Sequence, residues 1–381
     1  MGSGSTGIDR LSATIAAPSW DRFATWGAWP ARSLLSVVAA LLALAAIVPL
    51  TASMDGTPAQ VPSLLNDVSS AQHAEPDRAD DLVFYDRVIK RIENGENYYD
   101  FIVEEQRAHN YPVRPGFAVR LPTLAWIHAW VGEHAMIAFA IILLVVCVWA
   151  WWRRLDEEPG GVRMRLLGTA LMAMGGSLGL NRSFFVLHEL WAGMLIALAF
   201  GLHRPGRWGA ALAVAALALA VRELALPFVL LMAAMAAWRK DWREAAAWIA
   251  LVATFVAFMA WHLSLVAARG LPGDPEGPDW LVLRGFSGWL GNIVLSSNLR
   301  LLPHEIAGPL VVLMLLGWAG WKSAAGNTGT LLYLGYGLAF MLAGRANNFY
   351  WGAVVAPAMF IGLAFVPMAT KSLIGAARAR T

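Results

Sequence analysis

The chain has 381 residues, of which 58% are apolar and only 14% are charged. Soluble globular domains carry about 25% charged residues, so this composition argues against a wholly soluble protein and for an integral membrane protein. The formal net charge of +3 does not indicate a nucleic-acid partner, because the basic residues lie in short segments between apolar blocks. The single cysteine, Cys147, lies inside an apolar block, which excludes an intrachain disulfide and a cysteine-based zinc site.

The sequence contains ten apolar blocks; several approach the roughly 20 residues that a helix needs to cross a bilayer, and several are shorter. We therefore predict an all-α polytopic membrane protein with about ten transmembrane helices. The predicted spans lie near residues 33–52, 133–152, 165–181, 187–203, 207–221, 224–238, 245–266, 305–321, 328–344 and 350–369.

Basic residues occur in every second connection between these spans, as at Arg153, Arg204, Arg239 and Lys322. By the positive-inside rule these connections face the cytoplasm, and so do both termini. Two termini on one side require an even number of spans, which ten satisfies. The sequence thus predicts a multi-pass protein of the bacterial inner (plasma) membrane, whose other connections face the periplasmic or extracellular side.

The spans and connections divide the chain into four parts. Residues 1–32 form a cytoplasmic N-terminal segment, and residues 33–270 form a transmembrane module that includes a long periplasmic loop at 53–132. A second long periplasmic loop, rich in Gly and Pro, covers 271–304. Residues 305–381 supply the C-terminal transmembrane helices and a short cytoplasmic tail.

The first outer loop contains an amphipathic helix from Asp81 to about Glu93, followed by an Asn-Gly stop. Its apolar residues recur at helical spacing: Leu82, Tyr85, Val88, Ile89 and Ile92. We expect this helix to lie along the membrane surface. The segment from Tyr111 to Pro122 contains three prolines and should be extended and rich in turns.

Polar residues cluster where the short outer loops join the ends of spans. Charges at a membrane boundary are costly unless they pair or face water. Two interpretations stay open: structural ion pairs and helix-end anchors, or side chains that together surround one polar cavity. The residues are Asn181, Arg182, His188, Glu189, Arg222, Glu223, Arg345, Asn347 and Asn348.

The stretch DDLVFYDRVIKRIENGENYY at residues 80–99 resembles the start of the first periplasmic loop of GT-C glycosyltransferases, polytopic enzymes that use polyprenyl-phosphate sugars. Asp81 with Tyr85 matches the Asp-x-x-x-Tyr pattern of that superfamily, and Gly95 with Tyr98 matches its Gly-x-x-Tyr turn. The blocks HELWAGMLIALA at 188–199 and RELALP at 222–227 are also similar to bacterial members.

The resemblance implies an inverting glycosyltransferase that moves a sugar from a polyprenyl-phosphate donor to a lipid-linked or polysaccharide acceptor on the outer face, among membrane lipids. It implies that Asp81 is the catalytic base, with Asp80 as the fallback and Asp77 as a weaker choice. The alternative role of Asp81 is to cap the helix. The predicted substrate-binding residues are His188, Glu189, Arg222, Glu223, Arg345, Arg114, Arg120 and Tyr85.

Arginine side chains at the headgroup level suit a donor phosphate, and a carboxylate beside the sugar suits a general base. No cofactor and no metal ligand is predicted with certainty, although a divalent cation between Asp81 and Glu189 or Glu223 stays open. Two other classes of function stay open as well: a transporter or flippase of a lipid-linked sugar, and a non-catalytic membrane subunit. A transporter would require polar residues deep within several spans.

Overall fold

The computed structural model describes residues 20–50, 80–277 and 279–379, apart from the side chains of Asp80, Asp81, Ala346 and Asn347. Within these ranges the protein is all-helical and contains no β-strand beyond isolated bridges. The helices are α1 (Ala28–Ile47), α2 (Asp80–Glu93), α3 (Tyr98–Ala108), α4 (Thr123–Asp156), α5 (Gly161–Gly176), α6 (His188–Leu202), α7 (Gly209–Val221), α8 (Leu226–Trp238), α9 (Trp242–Ala267), α10 (Gly285–Leu295), α11 (His304–Gly320), α12 (Ala324–Leu342), α13 (Ala356–Met359) and α14 (Gly362–Arg378).

Four helical stretches in these ranges are long and apolar enough to cross a membrane: Ala28–Ile47, Gly116–Asp156, Trp242–Ala267 and Ala356–Arg378. Four shorter apolar stretches accompany them: His188–Leu202, Gly209–Val221, Glu223–Trp238 and His304–Gly320. The prediction of an all-α protein with membrane-spanning helices is thus confirmed in its coarse form.

Exposed tryptophans mark both ends of the bundle. On α9, Trp242 is 68% exposed and Trp261 is 48% exposed. Nineteen residues of α-helix separate them, or about 28 Å along the axis, close to the ~30 Å of a bilayer's hydrocarbon core. Tryptophan prefers the membrane–water interface, so these two side chains fit its two boundaries.

We call the end of the bundle that contains Trp261 the cavity end, and the end that contains Trp242 the basic end. The helices α6 and α8 begin at the cavity end, and α4, α6 and α8 finish at the basic end. Arg153, Arg204 and Arg239 therefore lie at the basic end.

Helix α6 lies at the centre of the bundle, because it is apolar on every side and nearly all of its side chains are buried. It packs against α4, α7 and the 3-10 helix Ala346–Val354. A Cβ atom at Gly193 would overlap the carbonyl oxygen of Ala353. Small residues allow this close helix contact, as is common where helices associate in membranes.

The amphipathic helix that the sequence predicts from Asp81 is observed as α2, and it ends at Glu93 as expected. The expectation that it lies on the membrane surface is wrong in one respect, because its apolar face packs against the protein. Leu82, Val88 and Ile89 are buried in a cluster with α3 and with the start of α4. Helix α3 supplies the matching apolar surface that a lipid layer would otherwise provide.

The segment between α3 and α4 is extended except for the 3-10 turn Gly116–Ala118, as its prolines predict. Its backbone pairs with the segment after α9. The amide of Val113 donates to the carbonyl oxygen of Pro275 at 2.9 Å, and the amide of Gly277 donates to that of Arg114 at 2.7 Å. The buried Asp274 carboxylate accepts from Arg107 at 2.5 Å.

Two predicted elements differ from the structure. The predicted loop at 271–304 contains the buried helix α10, whose glycines permit close packing rather than break the helix. A Cβ at Gly288 would lie 2.6 Å from the carbonyl oxygen of Phe340. The predicted span at 350–369 begins within the 3-10 helix Ala346–Val354, and the helical stretch able to cross a membrane starts only at Ala356 and continues to Arg378.

Candidate functional site

A polar cavity of about 260 Å³ opens at the cavity end. Helices α2 and α3, the extended segment after α3 and the stretch after α12 surround it. Two guanidinium groups and two amides face it, from Arg120, Arg345, Gln106 and Asn348. Its aromatic lining residues are Phe84, Tyr85, Tyr111, Trp280, Tyr350 and Trp351. The described part of its lining includes no carboxylate, so the cavity favours an anionic ligand.

Arg120 is held in place just before α4 by several contacts. Its Nε donates to the hydroxyl oxygen of Tyr85 at 3.1 Å, and the Tyr98 hydroxyl donates to its backbone oxygen at 2.6 Å. Its Nη2 lies 3.9 Å from Oε1 of Glu189, and its side chain is 15% exposed. Arg120 is thus fixed with part of its guanidinium directed at the cavity.

Behind Arg120 lies a buried ion-pair network. Arg222 is 1% exposed, and its Nε lies 2.7 Å from Oε1 of Glu189, while its Nη1 lies 2.5 Å from Oε1 of Glu223. The network forms because α6 begins and α7 ends at the cavity end, and a carboxylate in the first turn of a helix is favoured. For Glu189 and Arg222 the structural-pair interpretation therefore applies, and they support Arg120 from behind.

His188 lies next to Tyr85 at the inner end of the cavity. Their ring centroids are 5.4 Å apart, and His188 is 3% exposed. A narrow pocket of about 10 Å³ adjoins the main cavity there, lined by both rings and by Arg120. The Nε2 atom of His188 has no hydrogen-bond partner among the described residues.

Arg345 faces the cavity from the side opposite α2. Its backbone amide donates to Oδ1 of Asn348 at 3.1 Å, and Nδ2 of Asn348 donates to the hydroxyl oxygen of Tyr350 at 3.2 Å. Burial lowers the pKa of the Arg345 guanidinium from its usual value, and the nearby Tyr350 partly opposes this. The side chain thereby enters the cavity from a hydrogen-bonded turn.

Three buried polar atoms in the lining have no hydrogen-bond partner within the described ranges: Nε of Arg345, Nε1 of Trp351 and Oε1 of Gln106. Buried polar groups are nearly always hydrogen-bonded in native proteins. All three atoms are themselves buried beside the cavity, so a ligand would reach them only after the side chains rotate.

The predicted bases Asp80 and Asp81 lie in the first turn of α2. They precede Phe84 and Tyr85 by one helical turn, and both of these rings line the cavity. Their backbone therefore lies at the end of α2 that is next to these lining residues, and their side chains are outside the described atoms. Asp77 also lies outside the described residues.

Arg114 is not part of the cavity. Its Nη2 donates to the backbone oxygen of Leu271 at 2.6 Å, and its Nη1 lies 3.5 Å from Oε1 of Glu276. It borders a separate groove of about 420 Å³ that Leu263 and Val266 also line. The pairing of the extended segment with the segment after α9 turns Arg114 away from Arg120.

Several lining residues were not singled out from the sequence, among them Gln106, Trp280, Tyr350 and Trp351. The aromatic run beside Arg345 was a usable signal, but it was assigned to the start of a span. Among the residues described, no group of three metal-ligating side chains occurs. The alternative of a divalent cation between Asp81 and Glu189 or Glu223 involves the Asp81 carboxylate, which is outside the described atoms, and it stays a prediction.

No family model matches this sequence, and comparisons with curated proteins and with solved structures also found no match. The resemblance to GT-C enzymes therefore depends on the motif residues alone, and the function has to be argued from the cavity.

Proposed function

We propose that the protein is an inverting membrane glycosyltransferase of the GT-C type. It transfers a hexosyl or pentosyl group from a polyprenyl-phosphate donor to a lipid-linked or polysaccharide acceptor at the cavity end. The observation that carries this proposal is the cavity itself, in which two guanidinium groups face aromatic walls and no carboxylate lies in the described lining.

The donor phosphate binds between Arg120 and Arg345. Charge-assisted hydrogen bonds from arginine to phosphate are about twice as strong as neutral ones. Arg120 is already oriented by Tyr85, and Arg345 has an unsatisfied Nε. Neither arginine makes a carboxylate contact shorter than 3.9 Å among the described side chains, so both retain positive charge for the ligand.

The sugar ring lies against the aromatic side chains. A cavity of about 260 Å³ is just below the usual range for ligand sites, roughly 300–1,000 Å³, which suits a ligand as small as one sugar and its phosphate. Tyr85 and Trp351 offer ring faces for the apolar side of a sugar. The polar side chains of Gln106 and Asn348 line the same cavity beside the sugar.

Asp81 acts as the general base, as the GT-C resemblance implies, and Asp80 is its fallback. Its carboxylate takes the proton of the acceptor hydroxyl while that oxygen forms a bond to the anomeric carbon. The bond from this carbon to the phosphate oxygen breaks, and the phosphate leaves with the bonding electrons. This single displacement inverts the configuration, and the arginines stabilise the leaving phosphate, so no strong acid is required.

The proposed topology has about ten membrane segments, with both termini in the cytoplasm and the cavity end in the periplasm or outside the cell. It is supported by the arginines at the basic end, which the positive-inside rule assigns to the cytoplasm. The four long and four shorter apolar stretches account for eight of these segments, and α5 and α12 overlap the other two predicted spans. The membrane is the bacterial plasma membrane.

The positions of ionisable residues favour an enzyme over a transporter. Along α6, His188 lies at the first residue and His203 follows the last. Arg222 precedes α8, and Arg239 follows it. Charged groups thus lie at the ends of these helices, whereas a transport path would need them near the middle.

The test is transfer of sugar from a synthetic polyprenyl-phosphate donor by the purified protein. Asp81→Asn should lower the rate by about 10²–10⁴-fold, the usual contribution of a general base. Glu93→Gln removes the same charge from the exposed far end of α2 and is the matched control. If Asp81→Asn keeps wild-type activity and Asp80→Asn loses it, the base is Asp80. Full activity in both variants would refute a general base at the start of α2.

A further inference from the structure

A second amphiphilic site lies at the opposite end of the bundle. A groove of about 630 Å³ runs between the segment before α1, the last turns of α8 and α11, and the first turns of α12. We propose that this groove binds an anionic phospholipid from the leaflet at the basic end. This inference does not rest on the glycosyltransferase proposal, because it uses a different cavity and different residues.

The charges of the groove match an anionic headgroup. Arg22 and Arg239 line it, and no carboxylate occurs in the described part of its lining. Nη2 of Arg239 donates to Oε2 of Glu244 at 2.9 Å, but its Nε is buried and has no partner among the described groups. Glu244 also contacts His203 at 2.8 Å and Trp248 at 3.2 Å, so three side chains share its carboxylate.

Arg22 is fixed at the edge of the groove by α11. Its Nε donates to the carbonyl oxygen of Ala319 at 2.6 Å, and its Nη2 donates to Asn327. These bonds satisfy the carbonyl end of α11 and hold the guanidinium beside the first turns of α12. Helix α12 begins in the groove at Ala324, and the positive end of its dipole adds to the attraction for a phosphate.

The position of the groove relative to the tryptophans points to a lipid rather than a soluble anion. Trp238 lines the groove and is 86% exposed, and Trp29 nearby in the same end of the bundle is 77% exposed. Exposed tryptophans lie at the level of lipid headgroups. Leu34 and Leu331 extend the groove along the apolar surface, where acyl chains lie.

The experiment measures how much phosphatidylglycerol and phosphatidylcholine the full-length protein retains from mixed micelles, by native mass spectrometry. Each arginine near a lipid headgroup contributes about fivefold to the affinity for an anionic lipid. Wild-type protein should therefore retain phosphatidylglycerol in clear preference to phosphatidylcholine, and Arg239→Gln should reduce that preference about fivefold.

A steric variant keeps the test independent of the Arg239–Glu244 contact. Leu331→Trp fills the groove, and Leu338→Trp places the same side chain two turns further along the same exposed face of α12. Leu331→Trp should abolish the preference and Leu338→Trp should preserve it. The proposal is overturned if the wild type retains the two lipids equally, or if the two tryptophan variants behave alike. It is also overturned if phosphatidylglycerol binds only after residues 2–19 are removed.

Discussion

Replacing Arg345 by glutamine tests the assignment of the phosphate site. The side chain lines the cavity, and its buried Nε has no partner among the described atoms, so its loss should leave the fold intact. A hydrogen bond to a charged group contributes about 1.5–3 kcal/mol. Loss of one such bond in the transition state corresponds to a fall in kcat/KM of roughly 10–150-fold.

The assay is transfer from a synthetic polyprenyl-phosphate sugar, with kcat/KM measured at constant detergent and lipid. Arg114→Gln is the matched control, because Arg114 has the same chemistry but lies outside the cavity. It should stay within about twofold of wild type, as a surface contact contributes little. An Arg345→Gln enzyme with wild-type kcat/KM, or one no worse than Arg114→Gln, would refute the phosphate site.

Three further variants test the surrounding structure through the thermal unfolding midpoint. Arg222→Met leaves the buried Glu189 unpaired and should destabilise the protein by about 3–5 kcal/mol. Gly193→Ala forces a Cβ into a neighbouring backbone oxygen and should cost about 1–3 kcal/mol. Asp274→Asn should lower the midpoint at pH 7. The guanidinium of Arg107 lowers the pKa of Asp274 below its usual 3.8. The difference in midpoint between wild type and Asp274→Asn should therefore shrink as the pH falls below 3.8.

Each of these variants has its own comparison. The pair Glu189→Leu with Arg222→Met should recover much of the loss, because two apolar groups replace two charges. Gly375→Ala is the control for Gly193→Ala, since nothing lies within 4 Å of its Cβ position. Equal stabilities of Gly375→Ala and Gly193→Ala would contradict the close packing at Gly193. A pH-independent effect of Asp274→Asn would contradict the ion pair with Arg107.

Local patterns in the sequence were enough to predict many of the helices. Helix α2 followed from the spacing of Leu82, Val88 and Ile92, and its end followed from Asn94-Gly95. The pattern also indicated an apolar face, but it could not indicate what covers that face. An apolar helix face has the same sequence pattern whether lipid or another helix covers it. Only the fold shows that α3 covers this face of α2.

Helix α10 was missed for a related reason. Gly288 and Gly291 weaken a helix in isolation, by about 1 kcal/mol each relative to alanine. In the fold they permit backbone contact with Phe340 and Leu50, which would be blocked by any side chain. Close packing therefore overrides the local propensity, and a single sequence carries no sign of that contact.

The cavity was predicted in part. The ends of α6 and α7 pointed to one polar region, and the structure indeed places His188 and Arg120 beside Tyr85. Arg114 shares the same loop as Arg120, but the backbone pairing near Pro275 turns it to a different groove. Neither Trp280 nor this pairing could be inferred without the fold, because the residues they contact are more than 60 positions away in the sequence.

The most direct test of the central proposal is a structure of the protein with a bound non-hydrolysable polyprenyl-phosphonate sugar. The account predicts that the phosphonate contacts Arg120 and Arg345, and that the sugar lies against Tyr85 with its anomeric carbon facing the start of α2. A phosphonate bound beside Arg114, or a continuous path from the cavity to the basic end, would contradict it.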